Sequence, residues 1–168
     1  ELGKDGGRTV LISGCIDTQK VHISSAIASG YKYMLIVTSD EAKARKMCDD
    51  ASFFNKEAIY YPAKDAIFYS ADVHGNQITG ERLRCISRII NHSSTGEGVL
   101  TVVTTMDGIA DRLIPVERFK EAVITLDYSS EIEPEKLAKK LVAMGFVRTG
   151  MVEDKGQFAI RGGIIDIF

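Results

Sequence analysis

Two stretches of this chain carry residue types at spacings suited to chemistry. The first is Gly14-Cys15-Ile16-Asp17-Thr18-Gln19-Lys20-Val21. A phosphate-gripping turn between a strand and a helix reads G-x-x-x-x-G-K-S/T. Its glycines let backbone N–H groups approach the phosphates, its lysine reaches the outer phosphate oxygens, and its hydroxyl holds magnesium. Gly14 and Lys20 stand in register with that pattern, but Gln19 replaces the second glycine and Val21 the hydroxyl residue. Asp17 places a negative charge inside the would-be anion cradle. A Cβ at Gln19 opposes the backbone such a loop needs, and valine has no oxygen to offer a metal. We read the turn as a vestigial nucleotide site whose remnants are Gly14 and Lys20.

The second stretch is Gln157 to Phe168. Gln157 to Arg161 alternates polar and apolar residues, Gly162-Gly163 supplies a tight turn, and Ile164 to Phe168 runs apolar apart from Asp166. The pattern predicts two short strands around a glycine turn. Arg161 falls beside the turn, where a guanidinium projects from a stiff platform. Such an arginine is either a solvated surface charge or one arm of a forked pair with a partner carboxylate, a pair lysine cannot reproduce. Phe158 suits either the core or a contact surface, because aromatic side chains serve both.

Other constellations are wanting. No G-x-S-x-G elbow occurs. Cys15, Cys48 and Cys85 form no C-x-x-C pair, and His22, His74 and His92 do not cluster with them, so no metal site is expected. The thiols are expected to be small, mostly buried apolar groups in a reducing, cytoplasmic compartment. Lys plus Arg number 21 against 23 Asp plus Glu, a net charge of −2 that gives no bulk electrostatic case for nucleic-acid binding. No apolar run approaches the roughly 18 residues of a membrane span, so no membrane partner is expected.

The elements that must position these residues follow from the hydrophobic pattern. Strands are expected over Thr9–Ile12, Tyr33–Val37, Ala58–Tyr61 and Val99–Thr104, each short and β-branched or aromatic. Between them fall a helix capped by Asp17 or Thr18 and closed by Gly30, and a helix from Glu41 to Ala51 behind Ser39 or Asp40. A third helix, Gln77–Asn91, carries the apolar stripe Ile78, Leu83, Ile86, Ile89 and Ile90, with Arg82, Arg84 and Arg88 expected on a solvated face. Residues 62–76 read as irregular. A short helix to Leu113 follows the fourth strand, and residues 115–120 form the candidate boundary. Beyond it we expect a strand over Ala122–Leu126, a helix opening on Pro134 with Leu137, Leu141 and Met144 inward, a strand from Phe146 to Val152, and the hairpin. The fold class expected is α/β. A RecA/P-loop-like parallel-sheet domain with a degenerate P-loop occupies 1–117, and a small, incomplete α+β domain occupies 118–168. Glu1 in place of Met leads us to expect a natural start further upstream.

These residues also carry a family likeness. Phe158 to Phe168 resembles the F-x-V-R-G-x-hydrophobic-hydrophobic-D/E-hydrophobic-F signature shared by UvrB and the N-terminal UvrB-like module of bacterial transcription-repair coupling factors. Gly14 to Lys20 looks like a decayed form of UvrB's P-loop, and Glu81-Arg82-Leu83-Arg84 resembles the E-R-L-R of the helix that follows in both families. Tyr61 to Tyr69 resembles the segment F-P-x-x-E-x-L-P-Y, with Asp65 for the acid and Phe68 for the proline, and Val99 to Thr104 resembles the strand before the next short helix. Two departures favour the coupling-factor module over UvrB: the stretch from Tyr61 to Ile78 is too short for UvrB's DNA-clamping aromatic hairpin, and the P-loop is broken.

The resemblance implies a non-catalytic adaptor whose second domain recruits UvrA, the damage-recognition ATPase of nucleotide excision repair. Arg161 falls on the family's UvrA-contacting arginine, and Phe158 is a second candidate contact. No cofactor is expected in this stretch; ATP and magnesium belong to the motor of a longer parent, an ATP-dependent DNA translocase. RNA polymerase and DNA are expected partners of domains C-terminal to this region. The remaining domains of the same protein are expected to pack on the module and mask its docking surface. The competing reading is a nucleotide-dependent, UvrB-like DNA-binding module, which a nucleotide titration separates from the first.

Overall fold

The computed structural model describes residues 9–64 and 72–168. The chain divides into two compact units, Glu1–Leu113 and Ile114–Phe168.

The first unit runs α1 (Asp17–Ala28), β1 (Tyr33–Thr38), α2 (Glu41–Phe54), β2 (Ala58–Tyr61), α3 (Asp72–Thr95), β3 (Leu100–Thr105) and α4 (Met106–Ala110). Its sheet has the order β1-β3-β2 and both pairings are parallel, with Leu35 opposite Val102 and Ile59 opposite the same residue from the other side. All six residues of β3 are buried, as expected of a central strand covered on both faces. On one face Val21 of α1 and Ala44, Met47, Cys48 and Ala51 of α2 pack on Val103. On the other, Cys85, Ile86 and Ile89 of α3 pack on Ile59, Tyr61, Leu100 and Val102. The buried threonines of β3 are satisfied: Thr104 Oγ1 donates to the Tyr61 carbonyl at 2.8 Å, and Thr105 Oγ1 accepts from Gly108 N at 3.1 Å, capping α4. Asp40 caps α2, accepting from Lys43 N at 2.8 Å.

Four expectations for this unit are corrected. Thr9–Ile12 is not a strand; the segment is irregular and Val10, Leu11 and Ile12 are exposed, because no neighbouring backbone pairs with it. The N-cap of α1 is Ile16, and Asp17 is the first helical residue. Arg82 is not solvated: its side chain is only 6% exposed. It lies where α3 crosses the end of β2, and there Nη1 donates to the Pro62 carbonyl at 2.7 Å, Nη2 stands 3.1 Å from Asp111 Oδ2, and the guanidinium stacks 4.4 Å over the Tyr61 ring. Those partners compensate the buried charge. Arg88 pairs with Glu57, and Arg84 is exposed. Helix α3 also begins earlier than predicted, at Asp72, while Asp65, Phe68 and Tyr69 lie outside the described residues.

The second unit comprises α5 (Val116–Ala122), α6 (Pro134–Ala143), β4 (Val147–Arg148), β5 (Gln157–Arg161) and β6 (Ile164–Ile167). Proline opens α6. Gly145, at φ +93°, closes it, letting Phe146 N reach back to the Leu141 carbonyl at 3.0 Å. Strand β5 is central, parallel to β4 and antiparallel to β6. Leu137, Ala138 and Leu141 of α6 cover one face of this sheet, closing on Phe158 with Ile124, Phe146, Ile160 and Ile165 around it. The expected strand over Ala122–Leu126 is absent: Ala122 ends α5, and residues 123–126 are irregular, with Ile124 turned to the core. The strand expected from Phe146 to Val152 shrinks to Val147–Arg148; Thr149 N still donates to the Phe158 carbonyl at 2.8 Å, and the ladder to β5 ends there. The observed architecture is thus α/β, with a parallel three-stranded sheet in one unit and a small mixed sheet with helices in the other.

Candidate partner-docking site

The turn before α1 is built by Gly14, whose φ of +78° lies in the left-handed region that favours glycine. Past it the chain enters α1 with Ile16 N donating to Gln19 Oε1 at 3.2 Å, so the glutamine side chain caps the helix start. Lys20 Nζ donates to Asp17 Oδ1 at 3.0 Å, and Lys43 Nζ of α2 stands 3.7 Å from the same oxygen. The hydrogen bond from Lys20, with the charges of both lysines, holds the Asp17 carboxyl below the usual carboxylate range. Val21, at the position where a P-loop places its hydroxyl, is fully buried in the apolar core. A magnesium–nucleotide pair does not fit this residue set: the lysine is engaged by an internal carboxylate, the metal-binding hydroxyl is an apolar core residue, and the glutamine side chain fills the second glycine's place.

The hairpin β5–β6 is formed as the alternation predicts. Gly162 alone of the two turn glycines has positive φ, +61°, at the first central position, as in a type II′ turn. The register pairs Phe158 with Ile167, Ala159 with Asp166, Ile160 with Ile165, and Arg161 with Ile164. Period-two alternation therefore splits the hairpin into two faces. Phe158, Ile160 and Ile165 turn toward α6, and Phe158 has no exposed surface. Arg161, Ala159, Ile164 and Asp166 share the opposite face, where Arg161 Nη2 donates to Asp166 Oδ2 at 2.6 Å. The arginine side chain is 60% exposed and the aspartate 40%.

The structure therefore separates the two candidate contact residues. Arg161 is at the surface and open to a partner, whereas Phe158 takes the core role of the two considered for it. Gly14 and Lys20 remain near each other in sequence and at one helix start, but the lysine's partner is Asp17. Sequence reasoning missed Lys43 and Asp166. For Asp166 a signal was present, since strand parity places it on the arginine's face; for Lys43, which comes from another helix, there was none. Among the described residues no group of three or more His, Cys, Asp or Glu side chains is placed to hold a metal, and no helix is long and apolar enough to cross a membrane.

A buried helix-on-sheet layer that holds an arginine hairpin at its surface is the part of the chain for which a family match exists. Residues 124–168, covering α6 and the whole hairpin, match the UvrB interaction domain. Over 167 residues, 98% of the chain, the sequence is 31% identical to the transcription-repair-coupling factor of Bacillus subtilis strain 168. It is 30% identical over 166 residues to that of Staphylococcus aureus strain USA300, and 30% over 169 residues to that of Staphylococcus haemolyticus. The chain spans 14% of the length of each of these relatives. The resemblance drawn from the motifs is borne out: along nearly its whole length the chain is similar to transcription-repair-coupling factors, and it carries the UvrB-interaction signature in its second unit.

Proposed function

We propose that this chain is a non-catalytic docking module that recruits UvrA in transcription-coupled nucleotide excision repair, with Arg161 as its principal contact. The observation that carries the reading is the UvrB interaction domain match over 124–168, within which Arg161 stands 60% exposed on a hairpin braced by a buried Phe158. Phe158 acts by holding that hairpin in place. The first unit is a RecA/P-loop-like scaffold whose phosphate turn has lapsed. Its doubly covered parallel sheet supports the scaffold assignment, and the Asp17–Lys20 pair supports the lapse. The longer parent is an ATP-dependent DNA translocase of the cytoplasm. Its motor domains take ATP and magnesium, further domains engage RNA polymerase and DNA, and the rest of the protein masks the docking surface.

Binding of purified UvrA to the chain, followed by biolayer interferometry, tests the reading. An exposed forked arginine at the centre of a contact contributes about 2 kcal/mol or more, so Arg161→Ala should weaken binding roughly 30-fold while leaving the circular dichroism spectrum unchanged. A folded Arg161→Ala protein that binds UvrA as tightly as the parent overturns the assignment. Saturable magnesium-dependent ATP binding by this unsubstituted chain would favour a nucleotide-dependent module instead.

A further inference from the structure

We propose that Asp166 is the positioning residue of the docking site: it fixes the Arg161 guanidinium through one hydrogen of Nη2 and leaves the other, paired with that of Nε or Nη1, to receive a carboxylate of the partner. This rests on the docking reading above and adds a second residue and a stated partner chemistry to it.

The argument begins with register. Asp166 stands opposite Ala159, and Arg161 is two residues further along β5, so the two charged side chains are diagonal neighbours on one face. Diagonal positions on antiparallel strands are within reach of long side chains. The small Ala159 between them offers no side chain to block the approach, and it is itself only 1% exposed. Nη2 therefore reaches Oδ2 at 2.6 Å, a charge-assisted bond.

That bond uses one nitrogen of three. Nε and Nη1 of Arg161 make no hydrogen bond to any described residue. A guanidinium is planar, so anchoring one nitrogen limits the swing of the plane and presents the remaining edge in a fixed direction. An unanchored exposed arginine gives up substantial rotamer freedom when it binds; one already held gives up less. The turn adds to the stiffness, because Gly162 closes the hairpin within two residues of both side chains' strands. The partner group that fits the remaining edge, where the second Nη2 N–H runs parallel to that of Nε or Nη1, is a carboxylate, which accepts two such bonds. Exposed Ile164, paired with Arg161 across the hairpin, supplies an apolar rim beside the charge, the arrangement in which a polar contact is shielded from water.

Two measurements test this, and the first needs no partner. The side-chain Nε–H of Arg161, followed by NMR relaxation in the parent chain, should be ordered, and it should become mobile in Asp166→Ala. Equal mobility in both proteins overturns the positioning role. The second is UvrA binding. Asp166→Ala should weaken it about fivefold, Asp166→Asn, which keeps an acceptor oxygen, should stay within about twofold of the parent, and Asp166→Ala should have no further effect in an Arg161→Ala background. If Arg161→Ala weakens binding but Asp166→Ala leaves it unchanged or strengthens it, the docking reading stands and the role of Asp166 falls. If Arg161→Ala itself has no effect while Arg161 is ordered by Asp166, the docking reading falls and the intramolecular anchoring stands. Should Asp166→Ala fail to fold, the comparison is made with Asp166→Ser, whose short hydroxyl carries no charge and does not reach the guanidinium; parent-like binding with that variant overturns the proposal.

Discussion

Lys20 donates its ammonium hydrogen to Asp17 at 3.0 Å, and Lys43 approaches the same carboxylate oxygen at 3.7 Å. An internal anion thus stands with the cation that a phosphate turn reserves for its ligand. Removing the aspartate charge frees the lysine but returns neither the second glycine nor the metal-binding hydroxyl, because Gln19 and Val21 remain. We therefore expect neither this chain nor its Asp17→Asn variant to give saturable heat when titrated with magnesium–ATP in a calorimeter. Saturation in Asp17→Asn alone would identify the aspartate as the sole block. Saturation in the unsubstituted chain would show the turn to be a working site.

Phe158 has no exposed surface and closes the core of the second unit against Leu137 and Leu141. Truncating a buried phenylalanine to alanine removes its burial and leaves a cavity, at a cost of about 3–5 kcal/mol. In a unit of this size that loss is comparable to the whole stability. Phe158→Ala should abolish the protection of β5 and β6 amides in hydrogen exchange while the amides of β3 in the first unit keep theirs. Parent-like protection of the hairpin would place Phe158 outside the core.

The parts of this fold legible in the sequence are those decided by local patterning. The hairpin could be read because alternation and a glycine turn fix both strands and their register at short range. Strand β3 could be read because a central parallel strand is apolar or β-branched on both faces. Thr9–Ile12 has the same composition, yet whether such a run joins a sheet depends on a neighbour the local pattern does not contain. With α1 on the same face as α2, a right-handed crossover would set a strand there on the side of β1 away from β3, and β1 makes no pairing on that side. The burial of Arg82 was hidden for a related reason: its partners are the Pro62 carbonyl and Asp111, 20 or more residues away in the chain, and helical periodicity says nothing of them. At the candidate site, Arg161 was legible as a hairpin charge, while the separation of Phe158 from it became definite only once α6 was seen to cover one face.

Arg82 fastens α3 to the end of β2 and to the residue that follows α4. Arg82→Ala removes the guanidinium and leaves the Pro62 carbonyl and the Asp111 carboxylate without it. Breaking a buried pair costs about 3–5 kcal/mol; with Asp111 still 33% exposed to water, the loss should fall at or below the lower end of that range. Chemical denaturation should show a reduced midpoint for the first unit. Arg82→Lys should recover little of it, since an ammonium cannot both bond the carbonyl and stack flat on Tyr61. A lysine variant as stable as the parent would mean that charge alone, and not the planar fork, holds these elements together.

Cys85 lies beneath α3, its Sγ donating to the Tyr60 carbonyl at 3.0 Å, and burial pushes its pKa up to about 11. Burial likewise raises that of Cys48, whereas Cys15, beside the Gly14 turn, is partly exposed. The thiolate is the reactive form, so iodoacetamide at pH 8 should modify Cys15 first and leave Cys48 and Cys85 unmodified until the first unit unfolds, as peptide mass spectrometry would show. The same shift predicts the alkaline limb of stability. A thiol whose folded pKa is raised favours the folded state fully below its unfolded value, about 8.5. As pH climbs from there the unfolded chain sheds the proton first and gains stability relative to the folded one, until both are ionised above about 11. Cys85→Ala should therefore lose less stability than the parent between about pH 8.5 and pH 11. An equal loss in both proteins would show that Cys85 ionises as readily in the folded unit as in the unfolded chain.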